Sequence, residues 1–242
     1  MMVINATGMN YRALNEKIRC LTGSGEGEII LEGINGQRYI ADGIKAAALI
    51  TIKGTPGNDL GAFMDGPGIT VLGNCQDGTG NTMSGGSIAV HGNAGDIVGH
   101  SMRGGRIYIK GNAGYRVGIH MKSYENLDPV IIIGGSVQDF AGEYMAGGTL
   151  VVLGEGNPKP AGNYIGTGMH GGIIAVKGKV EDFQLGGEAR KNGMDEQSWN
   201  RVFPLLNEYC GIFSLDARSF SRDMFTVLCP ITHRPYGRMY AY

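Results

Sequence analysis

What this chain lacks narrows it before anything it contains. Its formal net charge is -1, with 21 Lys and Arg against 22 Asp and Glu, so charge gives no support to a nucleic-acid partner or an acidic substrate. The four cysteines, Cys20, Cys75, Cys210 and Cys229, form no Cys-x-x-Cys pair and no compact framework. That pattern argues against a disulfide scaffold and for a reduced, cytoplasmic setting. No apolar run approaches the roughly eighteen residues of a membrane helix. The opening Met1-Met2-Val3-Ile4-Asn5 has no charged segment leading into an apolar core, so neither a span nor a secretory signal is expected. Also missing are a Gly-x-Ser-x-Gly elbow, a Walker loop and a zinc-ligand pair.

Glycine is what the chain has in excess, 43 of 242 residues, without the every-third-residue period of collagen. The stretch Gly92-Asn-Ala-Gly95-Asp-Ile-Val-Gly99 is followed nineteen residues on by Gly111-Asn-Ala-Gly114-Tyr-Arg-Val-Gly118. The glycine closing each short apolar run gives a series of anchors: Gly33, Gly54, Gly73, Gly92, Gly111, Gly135, Gly154 and Gly178. Their spacings are 21, 19, 19, 19, 24, 19 and 24. Four places before each anchor stand Ile29, Ile50, Ile69, Ile88, Ile107, Ile131, Leu150 and Ile174. Two places before stand Leu31, Ile52, Val71, Val90, Ile109, Ile133, Val152 and Val176. Aliphatic alternation of this kind is the mark of a strand with one buried face. A third row, Met64, Met83, Met102, Met121, Met145 and Met169, follows ten or fifteen residues after the anchors.

A nineteen-residue unit with one strand and several glycines has no room for an ordinary helix, which excludes helical solenoids and alternating strand–helix sheets. The Leu-x-x-Leu-x-Leu frame of leucine-rich repeats is missing. The economical fold is all-β: a right-handed, single-stranded parallel β-helix of about eight coils, spaced about 4.8 Å apart. Its expected extent is residues 25–180, between an N-terminal cap at 1–24 and a C-terminal extension at 181–242. In the cap, Asn10 is placed to start a helix through Arg19 with Leu14 and Ile18 on one side. In the extension, a helix over Asp195–Phe203 is expected to end or kink at Pro204. A second is expected from Leu215 to about Arg222, and the run from Cys229 to the end reads as extended. The middle outward place of each strand reads Ile30, Thr51, Thr70, Ala89, Tyr108, Ile132, Val151 and Ala175. Its last four members form an apolar stripe that something must cover, and the extension, with Trp199, Phe203 and Leu206, is the expected cover ahead of a partner subunit.

Candidate chemistry is sparse. Thioethers suit soft metals, but six methionines at the repeat period read as a corner stack of adaptable core side chains. Gly166-Thr-Gly168-Met-His-Gly171 spells the dinucleotide fingerprint, yet that motif works only between a strand and a helix, and here a strand follows. Of His91, His100, His120, His170 and His233, only His100 and His120 fall in adjacent coils one corner place apart, and no telling carboxylate accompanies them. Asn74, Asn93 and Asn112 repeat after their anchors, either as a stacked amide ladder or as left-handed corner residues. Gln76 and Gln138 stand where other coils carry the middle glycine. Insertions at Lys122–Pro129 and Glu155–Pro160 mark loops. No residue is assigned to catalysis, to a cofactor or to a metal.

The unit Gly-x-x-Gly-x-x-x-Gly followed by Met-x-Gly-Gly and a β-run resembles the C-terminal domain of the glutamate synthase large chain. Ala141-Gly-Glu143-Tyr144-Met145-Ala-Gly-Gly148-Thr-Leu-Val-Val-Leu-Gly154 carries the resemblance most closely, Gly168-Met-His-Gly-Gly repeats it, and Asn10-Tyr-Arg12-Ala13 resembles an Asn-Thr-Asp-Arg-Ala segment ahead of that domain. The same unit resembles the C subunit of formylmethanofuran dehydrogenase, through Gly92–Gly99. Both families use the unit as a scaffold. The first resemblance implies a β-helix chain with no active site and no cofactor of its own. It would link a glutamine amidotransferase to an FMN and iron–sulfur synthase subunit in making glutamate from glutamine and 2-oxoglutarate. The alternative is the formylmethanofuran dehydrogenase scaffold, and a more distant third is a free-standing β-helix hydrolase. Neither nucleic acid nor membrane is an expected partner.

The register is open to test at the methionine row. Met102→Asp places an unpaired charge in the core and should lower stability by several kcal/mol, while Met102→Leu should cost under about 1.5 kcal/mol. Thermal melts in which the two variants match would mean the row faces solvent.

Overall fold

The computed structural model describes residues 1–232. The anchors of the repeat fall at the ends of eight strands that pair in parallel: β2 (Glu28–Asn35), β3 (Leu49–Thr55), β4 (Gly68–Val71), β5 (Ser87–Val90), β6 (Arg106–Ile109), β7 (Val130–Ile133), β8 (Ala146–Val152) and β9 (Gly171–Lys177). The register is the one the sequence spacing requires: Ile29, Ile50, Ile69, Ile88, Ile107, Ile131, Leu150 and Ile174 are successive partners. All eight are buried, as is every member of the second aliphatic row and every methionine of the third. Eight strands are joined by seven turns, one fewer than the number of anchors suggests. The fold is a parallel β-solenoid with a single sheet, the remainder of each turn being corners.

Glycine is not the only residue that supplies positive φ at the corners. Each turn places three residues in the left-handed region at every second position, and mostly only the middle one is glycine: Ile97, Gly99 and Ser101; Arg116, Gly118 and His120; Phe140, Gly142 and Tyr144. Space explains the middle glycines better than φ does. A Cβ at Gly80, Gly99 or Gly142 would strike the δ1-methyl of Ile107, Ile131 or Ile174 respectively. The flanking side chains point away from the core and meet no such limit. Left-handed backbone costs an L-residue roughly 1–2 kcal/mol, and hydrogen bonds to both neighbouring coils offset it. Ile97 and Ser101 donate to Tyr115 O (2.8 Å) and Ile119 O (2.9 Å) of the following coil, while Gly99 donates to Thr79 O (2.8 Å) of the preceding one.

The anchor and middle glycines have a different cause, which also settles the role of the asparagines. Asn74 Oδ1 accepts from Asn93 N, and Asn93 Oδ1 from Asn112 N, each at 2.8 Å. Asn112 Oδ1 accepts from Ser136 N, also at 2.8 Å. The ladder therefore runs from side chain to backbone instead of amide to amide, and none of the three asparagines has a positive φ. A parallel row of aspartates does the same: Asp77 Oδ1 accepts from Asp96 N (2.8 Å), Asp96 Oδ1 from Tyr115 N (2.9 Å) and Asp139 Oδ1 from Asn163 N (2.7 Å). These oxygens fill the volume that a Cβ would need at Gly92, Gly111 and Gly135 for the asparagines, and at Gly95, Gly114 and Gly162 for the aspartates. Where Gln76 and Gln138 take the middle place, Asn58 and Tyr115 stand at the position the aspartates occupy elsewhere.

Both ends depart from expectation. An extra strand, β1 (Met2–Asn5), precedes the repeat and pairs in parallel with β2, Ile4 standing opposite Leu31. Between them runs α1 (Tyr11–Gly23), capped by Asn10 Oδ1 on Arg12 N at 2.9 Å. It extends a turn beyond Arg19, its inner face continuing through Thr22, and Leu14 and Ile18 seal the first coil. At the other end the parallel order reverses. After a 3-10 turn at Asp182–Gln184 come β10 (Ala189–Gly193), α2 (Glu196–Phe213), two further 3-10 turns and β11 (Phe225–Pro230). β11 pairs antiparallel with both β9 and β10. Thus a strand starts before Cys229, and the expected helix from Leu215 is replaced by the turns Ala217–Ser219 and Arg222–Met224. The extended run expected beyond Thr232 lies outside the described residues. β10 leaves Arg190 and Lys191 exposed at the final edge, which discourages further strand pairing.

α2 passes through Pro204 without ending. An interior proline costs roughly 3 kcal/mol. Val202, Leu206, Tyr209 and Phe213 are buried on the outward stripe of the sheet against Tyr108, Ile132, Val151 and Ala175, and each is worth roughly 1.5–3 kcal/mol. The extension is what covers the stripe. Arg201 fastens it, donating to Thr149 Oγ1 (2.8 Å) and pairing with Asp128 (2.9 Å) in the first inserted loop; Arg106 pairs with Glu208 at 2.9 Å. Trp199 is half-buried against Phe203 and Phe225. Among the described residues no helix is long and apolar enough to cross a membrane.

Leu206→Asp should release α2 from the sheet. The variant is expected to bind a hydrophobic dye and to red-shift Trp199 fluorescence while keeping the rod's strand signal in circular dichroism. A dye-silent, unshifted variant would mean that the stripe is held by something other than this helix.

Candidate functional site: an aromatic ridge with a buried glutamate

The motifs with possible chemistry resolve mostly into architecture. The methionines are core. Gly166 and Gly168 sit in a left-handed corner that leads into β9, so no helix N-terminus is there to meet a phosphate. His91 is exposed, with its ring edge-on to Phe213 at 5.1 Å. His170 Nδ1 lies 3.2 Å from Gly168 O, and His233 is outside the described residues. Cys75 is buried; its thiol, pushed up to about 11 chiefly by burial, receives a hydrogen bond from Thr79 Oγ1 and is no nucleophile at neutral pH. All four cysteines are free thiols. Among the described residues no group of three or more His, Cys, Asp or Glu is arranged to hold a metal ion.

His100 and His120 do come together, with ring centroids 6.1 Å apart, and they open onto the feature that sequence reading missed. Because the flanking left-handed residues of each corner point outward, successive coils stack whatever side chains occupy those places. On one side Arg116 lies over the Phe140 ring at 5.2 Å, and Phe140 stacks on Tyr164 at 4.9 Å and 14°. On the other, His120 stacks on Tyr144 at 5.1 Å and 12°, and Tyr144 lies flat over Gly168, where a Cβ would meet its ring. Tyr115, Tyr144 and Tyr164 remain exposed. A signal was present in the sequence: Arg116, His120, Phe140, Tyr144 and Tyr164 sit two before or two after the third glycine of their units.

Between the two stacks lies Glu143, within the Gly-Glu-Tyr-Met stretch. It is buried at 7% exposure. Its Oε2 is 3.1 Å from an Arg116 nitrogen without the alignment of a hydrogen bond, and no other group bonds it. Arg116 is therefore held from two directions, by the carboxylate and by the Phe140 face, while about half of its side chain stays exposed. The pKa of His100 is lowered, first by burial and then by the charge of His120, with Asp59 acting in the opposite sense.

Among the concavities elsewhere, two flank the helices. One, of 540 Å³, opens at the N-terminal end beside Met9, Asn10, Gln37 and Arg38. The other, of 390 Å³, lies between the C-terminal end of α2 and the rod, among Lys110, Tyr209, Leu215 and Phe220. Under α2 the Tyr108 hydroxyl has no well-formed hydrogen bond, and burial followed by the Glu208 carboxylate raises its pKa well above the usual value.

Comparison with known proteins bears on the whole chain. The sequence model of a family described as the GXGXG motif matches residues 25–197. An uncharacterized protein of Methanocaldococcus jannaschii is 47% identical over 250 residues, covering 99% of this chain and 96% of that one. Neither match names formylmethanofuran dehydrogenase.

Removing the cation of the ridge should leave Glu143 buried without a counter-charge. Arg116→Ala is expected to cost on the order of 1–3 kcal/mol, and adding Glu143→Gln should recover part of that loss. If a double-mutant cycle in chemical denaturation gives no coupling, the pair is an incidental contact.

Proposed function

The chain belongs to the GXGXG motif family, that of the glutamate synthase C-terminal domain, and on that premise we propose that it is the non-catalytic β-helix subunit of a split glutamate synthase. The observation that carries the proposal is the family match spanning the solenoid, with the Ala141–Gly154 stretch placed on the outer corner of the rod and in β8. In this reading a glutamine amidotransferase releases ammonia, and a separate FMN and iron–sulfur subunit adds it to 2-oxoglutarate and reduces the product. The β-helix contributes position. A rod whose coils are locked by repeated side-chain-to-backbone bonds holds two partners at a fixed distance, with little ordering cost when they bind.

Two separate surfaces support such a role. One is the aromatic ridge. The other is the part of the outward sheet face beyond the reach of α2, where Val3, Leu49 and Leu72 are exposed. Arrangement on different sides of one rigid body suits a subunit that keeps two catalytic parts in register.

Affinity purification of the tagged full chain from its native host, followed by identification of co-purifying chains, tests the proposal. An amidotransferase and an FMN protein are the expected partners. A molybdenum or tungsten protein in their place, or no partner together with intrinsic hydrolysis, would overturn it.

A further inference from the structure

We propose that the ridge over Arg116, Phe140, Tyr144 and Tyr164 is the face on which a partner protein docks, and that the partner presents carboxylates to it. The partner's identity rests on the functional reading above; its chemistry rests on the ridge itself. Arg103 and Lys122 follow the buried Met102 and Met121 in neighbouring coils and are both exposed. Lys122 N donates to Met102 O, and Arg103 N to Met83 O, so the two side chains leave the rod one above the other. Among the described residues neither has an ion-pair partner, whereas Lys53, Lys177 and Arg106 each have one. His120 lies between Arg116 and Lys122 along the chain, and His100 stands three residues before Arg103. Several carboxylates of these coils are already engaged: Glu143 faces Arg116, Asp96 and Asp139 each commit an oxygen to a backbone N–H of the next coil, and Asp128 pairs with Arg201.

Rigidity favours docking here. Arg116, His120, Phe140 and Tyr144 sit on left-handed backbone, and each donates its N–H to the following coil at 2.8–3.0 Å. Arg116 is further fixed by Glu143 and Phe140, and its exposed part keeps guanidinium N–H groups available to a carboxylate. Exposed tyrosines around an anchored arginine have the composition of an interface centre. Cations interleaved with aromatics also suit single-stranded nucleic acid, but there the ring faces must be free for bases. Here the faces of Phe140 and Tyr164, and of His120 and Tyr144, are turned on one another.

The test uses the tagged full chain in its host. Arg103→Glu with Lys122→Glu should cut recovery of at least one of the amidotransferase and FMN chains at least tenfold, and Tyr164→Ala several-fold. Lys17→Glu, on the exposed side of α1 at the far end of the rod, should leave recovery unchanged. Raising the salt should weaken recovery by the parent chain, and circular dichroism should show every variant folded. Folded ridge variants that recover both chains as the parent does would overturn the docking face and leave the functional reading standing. A parent chain that recovers neither would overturn the functional reading and this inference with it. Saturable binding of an oligothymidine by the parent, lost in the Arg103→Glu and Lys122→Glu variant, would replace the acidic protein with nucleic acid and overturn the inference alone.

Discussion

One contact holds the middle of the solenoid in register: an asparagine or aspartate oxygen of one coil entering the space left by a missing side chain in the next. The oxygen accepts a backbone N–H there, as between Asn74 and Asn93 or Asp77 and Asp96. Corners are where a β-solenoid is weakest, because its turns carry polar backbone past a core only a few side chains wide. A buried N–H left without an acceptor costs as much as a lost hydrogen bond. Supplying that acceptor from the coil below satisfies the group and sets the vertical register together. The glycine content follows from this packing. At most anchor and middle places glycine is required by a neighbour's oxygen, and at Gly61, Gly80, Gly99 and Gly142 by an isoleucine methyl from a later strand.

Much of the rod was legible for the same reason. Nineteen-residue spacing fixes which aliphatic residues stack, and every strand from β2 to β9 carries its two inward residues at the expected places. The fold class, the register and the buried methionines follow from that periodicity alone. What the repeat could not reveal lies where neighbours differ from one coil to the next. β1 has no anchor glycine of its own, although Gly33 makes room for Thr7 as later anchors do for asparagines. α2 continues through Pro204 because its partner surface, the stripe from Tyr108 to Ala175, is distant in sequence. Local propensity does not include that burial.

The ridge was hidden for a third reason. Positive φ is ordinarily read as a glycine or asparagine property, and the corners here give it to Arg116, His120, Phe140 and Tyr144. Once those positions are seen to face outward, the Gly-Glu-Tyr-Met stretch changes meaning. Met145 and Gly142 serve the core, Tyr144 serves the surface, and Glu143 lies between them as the fixed point for an arginine one coil away. His100 and His120, which the spacing brings only to each other, belong to this same surface.

The grip of Arg201 on both Thr149 and the Asp128 loop has a consequence for the order in which the chain assembles. Coils close on contacts about twenty residues apart, which form fast and can propagate from either end. α2 reaches back across roughly a hundred residues, from Glu208 to Arg106, so it can seat only after β6 to β8 are laid down. The molecule is then graded along its length. Its last coils are clasped from outside by the helix and by β11, while the coils of β2 to β4 are covered only at their end, by β1 and α1. Under heat or pulling force, opening should begin in those early coils and halt where the clasp begins.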